Sequence, residues 1–71
     1  MAINKEISIK TPYICLGQLI KYLGLAESDG DVKMFLNNSD IRINNLPDIR
    51  RGRKLYKGDL VAINGKEYKI C

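Results

Sequence analysis

Arg50-Arg51-Gly52-Arg53-Lys54-Leu55-Tyr56-Lys57-Gly58-Asp59-Leu60-Val61-Ala62-Ile63 joins two opposite kinds of sequence without a break. Its first eight residues hold five of the chain's twelve lysines and arginines and no acid. Gly58-Asp59 is a turn signal, since glycine accepts a positive φ and aspartate hydrogen-bonds to nearby backbone. Leu60 to Ile63 is a continuous apolar run of strand length. The expectation is a basic loop set just ahead of a buried strand. Dense positive charge held in this way suits a polyanion, and the phosphate backbone of a nucleic acid is the commonest one. A solvated loop that only keeps the protein soluble is the competing explanation.

Downstream, Asn64-Gly65 is the strongest hairpin signal in the chain, because a type I′ turn needs positive φ at both central positions. Lys66 to Ile70 is the expected partner strand. Upstream, Ile41 and Ile43 alternate with Arg42 and Asn44, a period of two. Asn44-Asn45 reads as a tight turn, and Leu46 to Ile49 as an irregular return. At the other end of the chain, Ile7 and Ile9, with Ile3 behind them, share one face of a first strand. Thr11-Pro12 ends it, since proline cannot donate to a ladder.

Two helices fill the middle. Leu16, Leu19, Ile20 and Leu23 fall at i, i+3, i+4 and i+7, an apolar stripe with Gln18, Lys21 and Tyr22 off it. Cys15 is placed as N-cap with Gln18 at the third helical position, and Gly24 as the left-handed terminator. Gly17 weakens the first turn by about 1 kcal/mol relative to alanine. Ser28 caps the second helix, with Asp31 reaching back to it and Asp29 and Asp31 at the positive end of its dipole. Val32, Phe35 and Leu36 form its buried face. Asn37-Asn38 ends it, as asparagine tolerates the left-handed conformation. Helices this short must pack on each other and on a sheet. The fold class is α+β: two short helices on a small, mostly antiparallel sheet.

The chain has 71 residues and a net charge of +4, which fits one domain spanning residues 1–71 with a small core. It has no histidine and two cysteines, Cys15 and Cys71, so the usual zinc ligand set is missing. There is no P-loop or Rossmann glycine pattern, and the eight acids are scattered. A non-catalytic protein without metal or cofactor is expected. Met1 to Glu6 lacks the apolar run of a secretory signal, and no stretch approaches a membrane span. A reducing cytoplasm is the expected compartment.

Together the Leu23-Gly24-Leu25-Ala26 helix end, the Ser28-Asp29-Gly30 helix start, Ile41-Arg42-Ile43-Asn44-Asn45, Arg50-Arg51-Gly52-Arg53-Lys54-Leu55 and Lys57-Gly58-Asp59-Leu60-Val61 resemble one family. This is the RNA-binding domain named after ribosomal protein S-four, also called the alpha-L motif, and in particular its stand-alone YaaA-type members. The resemblance covers residues 13–63. It implies two helices across a small sheet and a basic surface that lies on structured RNA, ribosomal RNA or a ribosome precursor. The implied contacts are Lys21 on the first helix, Lys33 on the second, and Arg50, Arg51, Arg53 and Lys54 on the loop, with Lys57 beside them. The chain departs from the pattern at Asn45, where the family has glycine, and in the low basic content of its helices, so the loop is expected to dominate.

Each residue also has a bland explanation. Lys21 and Lys57 fit ordinary exposed lysines. Lys33 fits a local pair with Asp29 at i and i+4. Arg42 belongs to the polar face of its strand. Tyr22 and Tyr56 border basic positions and could stack bases, whereas Tyr13, Tyr68 and Phe35 read as packing residues. An assembly or maturation factor acting as a monomer on RNA is the leading expectation. A protein-interaction module that sets its basic loop on an acidic partner is the alternative, and DNA binding is a third.

Overall fold

The computed structural model describes residues 5–71; the expected place of Ile3 lies outside them. The elements are β1 (Lys5–Ile7), β2 (Tyr13–Cys15), α1 (Leu16–Tyr22), α2 (Asp29–Asn37), β3 (Ile41–Ile43), β4 (Leu46–Pro47), β5 (Lys54–Tyr56), β6 (Leu60–Ile63) and β7 (Lys66–Ile70). Five strands form one sheet in the order β1-β7-β6-β3-β4. All its pairings are antiparallel except β1 with β7, which is parallel. The two helices pack over this sheet, so the α+β expectation holds.

The periodic segments behave as their patterns require. Leu16, Leu19 and Ile20 are fully buried on α1, and Leu23 packs against the same core. Ile41 and Ile43 face inward from β3, with Arg42 outward. Asn64 and Gly65 have φ of 50° and 87°, which makes the β6–β7 hairpin. Asn44 and Asn45 have φ of 52° and 69°, so asparagine does serve at both turn positions. The residues after them form the two-residue strand β4 against β3, more ordered than the irregular return expected.

Several details differ from the sequence reading. β6 is buried on one face only: Val61 and Ile63 are inside, while Leu60 is exposed. Phe35 lies at the edge of the core, half-buried, because Val32 and Leu36 take the inner face of α2. Asn38 ends α2 without a left-handed turn, at φ −106°. Its side-chain amide instead donates to the Met34 carbonyl at 2.9 Å, satisfying one of the helix's unpaired C-terminal acceptors. At the start of α2, Ser28 Oγ accepts from the Asp31 backbone N–H, the serine half of the expected capping pair.

The largest difference concerns the basic run. Lys54–Tyr56 is a strand, β5, paired antiparallel with β2 in a separate two-stranded ribbon. Tyr13–Cys15 is therefore a strand too, directly after the proline taken as a break. Of the basic run, residues 50–53 remain as loop and Lys57 falls in the turn after β5.

Candidate nucleic-acid interface

The loop between β4 and β5 is fastened to the start of α1 through its backbone. The Leu16 N–H donates to the Arg53 carbonyl at 2.8 Å, and the Gly17 N–H to the Arg51 carbonyl at 2.9 Å. The Cys15 N–H donates to Gln18 Oε1 at 3.0 Å. The first N–H groups of a helix have no partner inside it, and here the basic loop supplies two of the acceptors. Loop and helix thus hold each other in place, with the loop's carbonyls turned to the helix.

Gly17 makes that approach possible. A Cβ at this position would lie 2.5 Å from Arg51 Cγ and 3.3 Å from the Arg51 carbonyl oxygen. Clearing Cγ takes a change of the Arg51 χ1 rotamer, and the carbonyl oxygen is held in place by the Gly17 N–H. Helix propensity alone would make Gly17→Ala stabilising by about 1 kcal/mol. The packing reverses the sign, and a loss of about 1–3 kcal/mol is expected from the overlap. Urea denaturation of the variant decides between them, and a gain in stability would show that the loop does not rest on α1.

Asp48 organises two of the loop's three arginines, Arg50 and Arg53. Its carboxylate accepts from the Arg50 backbone N–H at 2.9 Å. It also accepts from Arg50 Nε at 3.1 Å and Nη2 at 2.8 Å, a two-point contact with one guanidinium edge. Arg53 Nε approaches it at 3.4 Å. The Asp48 side chain is only 13% exposed. The Arg50 hydrogen bond, against the effect of burial, holds its carboxyl down at about 2, so Asp48 stays ionised throughout the neutral range. Arg53 also donates through Nη1 to the Lys54 carbonyl.

The seven basic residues singled out from the sequence are therefore not equivalent. Arg50 and Arg53 share one carboxylate and are pre-ordered by it. Arg51 and Lys54 meet no carboxylate within ion-pair distance among the described residues; Lys54 stands 4.9 Å over the Tyr13 ring. Lys57 is exposed in the turn after β5. Lys21 pairs with Asp29 at 2.6 Å. The expected local pairing of Lys33 with Asp29 does not form, because Lys21 takes that carboxylate from across the two helices. The Lys21 hydrogen bond, its charge and that of Arg51 lower the Asp29 pKa. Arg42 turns to Asp40 at 3.3 Å.

Shared clefts join these groups into one surface. A groove of about 400 Å³ runs between α2 and the loop, lined by Lys33, Leu36, Asn37, Ile49 and Arg51. Arg51 also borders a second cleft with Cys15, Gln18, Asp29 and Gly52. Gln18 in turn borders a third, with Tyr13, Ile14, Lys21 and Tyr22. Sequence reading missed Asp48, Gln18 and Gly17. Asp48 had a signal, since an aspartate two residues before a loop N–H favours this side-chain turn. Gln18 was seen only as a capping residue, and no local pattern announces that Gly17 meets Arg51.

Comparison with known proteins adds a family to this geometry. A model described as the S4 domain matches residues 7–71. A protein of Bacillus subtilis (strain 168), "Probable ribosome maturation protein RlbA", is 49% identical over 59 residues, 83% of this chain and 83% of that protein. No solved structure matches the chain. With a family match across nearly the whole chain and a relative this similar, the chain belongs to the S4 domain family.

Proposed function

We propose that this protein is a non-catalytic RNA-binding module that docks on structured RNA, ribosomal RNA or a ribosome precursor, and acts as a maturation factor in the cytoplasm. The observation that carries the reading is the continuous run of clefts from Lys33 through Arg51 to Lys21, bordered by the basic loop. Arg50, Arg51, Arg53 and Lys54 contact phosphates in this reading, with Lys21, Lys33 and Lys57 at the margins. Arginine suits the task because its planar fork donates two hydrogen bonds to one phosphate. Asp48 pre-orders two of the arginines, which lowers the entropy lost on binding. Family membership and the name of the Bacillus subtilis relative support the same direction.

The alternative is an acidic protein partner for the same loop. A-form RNA and duplex DNA of equal length separate the readings: a preference for RNA is expected, and an equal, weak response to both would favour the protein partner. Crosslinking in cells followed by sequencing of the bound RNA identifies the target.

Charge reversals map the surface. Lys21→Glu and Lys33→Glu should each weaken RNA binding, by less than Arg51→Glu does. Lys5→Glu and Lys69→Glu, on β1 and β7, are the controls for net charge. All five belong at one ionic strength, since affinities at different salt are not comparable. Controls as damaging as the helix variants would mean that only net charge matters.

Asp29 gives the opposite sign. It sits within the basic surface and holds Lys21. Asp29→Asn should release that lysine and remove a negative charge from beside Arg51, tightening RNA binding by about threefold, an effect that shrinks with salt. It should lower stability slightly through the lost interaction with the α2 dipole. Fluorescence anisotropy reads the first effect and thermal melting the second. Unchanged affinity would place Lys21 outside the interface.

A further inference from the structure

The outer face of the β2–β5 ribbon carries a group of side chains that the phosphate contacts do not explain. Register sets Tyr13 opposite Tyr56, Ile14 opposite Leu55 and Cys15 opposite Lys54. Leu55 is fully buried, so strand alternation puts Tyr13, Tyr56 and Lys54 together on the other face. The two rings are 5.8 Å apart between centroids and inclined at 50°. Lys54 Nζ lies 4.9 Å from the Tyr13 ring centre. Tyr13 is 38% exposed and Tyr56 48%. Tyr13 read as a packing residue in the sequence, yet it and Tyr56 leave much of their apolar surface in water. They form an aromatic ledge with the Lys54 ammonium over one of its rings.

The ledge adjoins the basic surface. Tyr13 and Gln18 border one cleft together, and Gln18 and Arg51 border the next. We infer that the ledge holds an unpaired nucleotide of the RNA that the basic surface binds, with its base stacked on the tyrosines and its phosphate met by Lys54. This inference rests on the RNA reading above. A base offers a flat π face and carries a phosphate on the same nucleotide, and the ledge offers an aromatic face and an ammonium on one flexible side chain beside it. A base inside a helix has both faces covered by its neighbours, so the ligand is a bulged, looped or overhanging nucleotide. Lys54 has a flexible stem and moves from the ring to the phosphate as the base takes its place. The module would then recognise a junction, a duplex phosphate backbone with an unpaired nucleotide beside it, rather than any uniform helix.

The test uses two RNAs, one fully paired duplex and the same duplex carrying a single bulged 2-aminopurine. Affinity is measured by anisotropy at one ionic strength, and stacking by 2-aminopurine fluorescence. The wild type should bind the bulged RNA about tenfold more tightly, in line with the stacking of one base, and quench its fluorescence. Tyr13→Leu with Tyr56→Leu should bind the bulged and the paired RNA equally and leave the fluorescence unquenched. Tyr13→Phe with Tyr56→Phe should keep both. Quenching in the wild type needs no variant, so a leucine variant that fails to fold does not block the test. Paired-duplex binding without any preference for the bulge overturns the ledge and leaves the RNA reading standing. A preference retained by a folded leucine variant also overturns it. Failure of the wild type to bind either RNA overturns both.

Discussion

Replacing Arg51 and Lys54 together by alanine is expected to weaken RNA binding by about a hundredfold, at two charged hydrogen bonds of about 1.5 kcal/mol each. Neither has a carboxylate within ion-pair distance among the described residues, so both charges are available to phosphate. Changing Arg50 and Arg53 as well should nearly abolish binding, but that variant also strips Asp48 of its partners. Asp48 is 13% exposed and ionised, and an unpaired carboxylate there would loosen the loop. The double variant is therefore the cleaner measurement, and its melting temperature should stay close to that of the wild type. The salt dependence gives a second reading. Four loop cations offset by one carboxylate imply that the quadruple variant loses about 3 from the log–log salt slope. A folded double variant with unchanged affinity would remove the loop from the interface.

Leu55→Ala should cost about 2–5 kcal/mol, a large share of the stability available to so small a domain. Leu55 sits in the middle of the basic run, between Lys54 and Tyr56, yet it is fully buried. It faces the core from the inner side of the ribbon, in register with Ile14. Lys54→Ala on the outer side should change stability by about 0.5 kcal/mol or less, and Tyr56→Ala by about 0.5–1.5 kcal/mol through the lost ring contact with Tyr13. Urea denaturation separates the three. Loss of Leu55 should also weaken RNA binding, because the loop that precedes it is tethered through β5. Phe35→Ala should cost less than Leu55→Ala, since Phe35 is only half-buried at the core's edge. A Leu55→Ala protein as stable as the wild type would show that the ribbon does not pack on the core.

Where a pattern repeats within a few residues, the sequence determined the kind of element. The stripe at Leu16, Leu19, Ile20 and Leu23 specified α1, the alternation from Ile41 to Asn44 specified β3, and Asn64-Gly65 specified the hairpin. Those elements depend on backbone dihedrals and on side chains three or four positions apart, information that a local window contains. The family resemblance was legible for the same reason, as short strings in order along the chain.

Tertiary structure alone decided how distant segments meet. β2 and β5 have three residues each and lie next to a proline and inside a charge run, and they become strands because each provides the other's hydrogen bonds. β1 and β7 come from opposite ends of the chain, and nothing in either states that they run parallel. Asp29 lies four residues from Lys33 but binds Lys21 on the other helix, because the packing of α1 on α2 brings that ammonium closer. Gly17 reads as a weak helix residue until Arg51, 34 positions later, is found against it. Which residues carried charge could be read from the chain. Which of those charges remained free depended on carboxylates and backbone groups that the fold brought beside them.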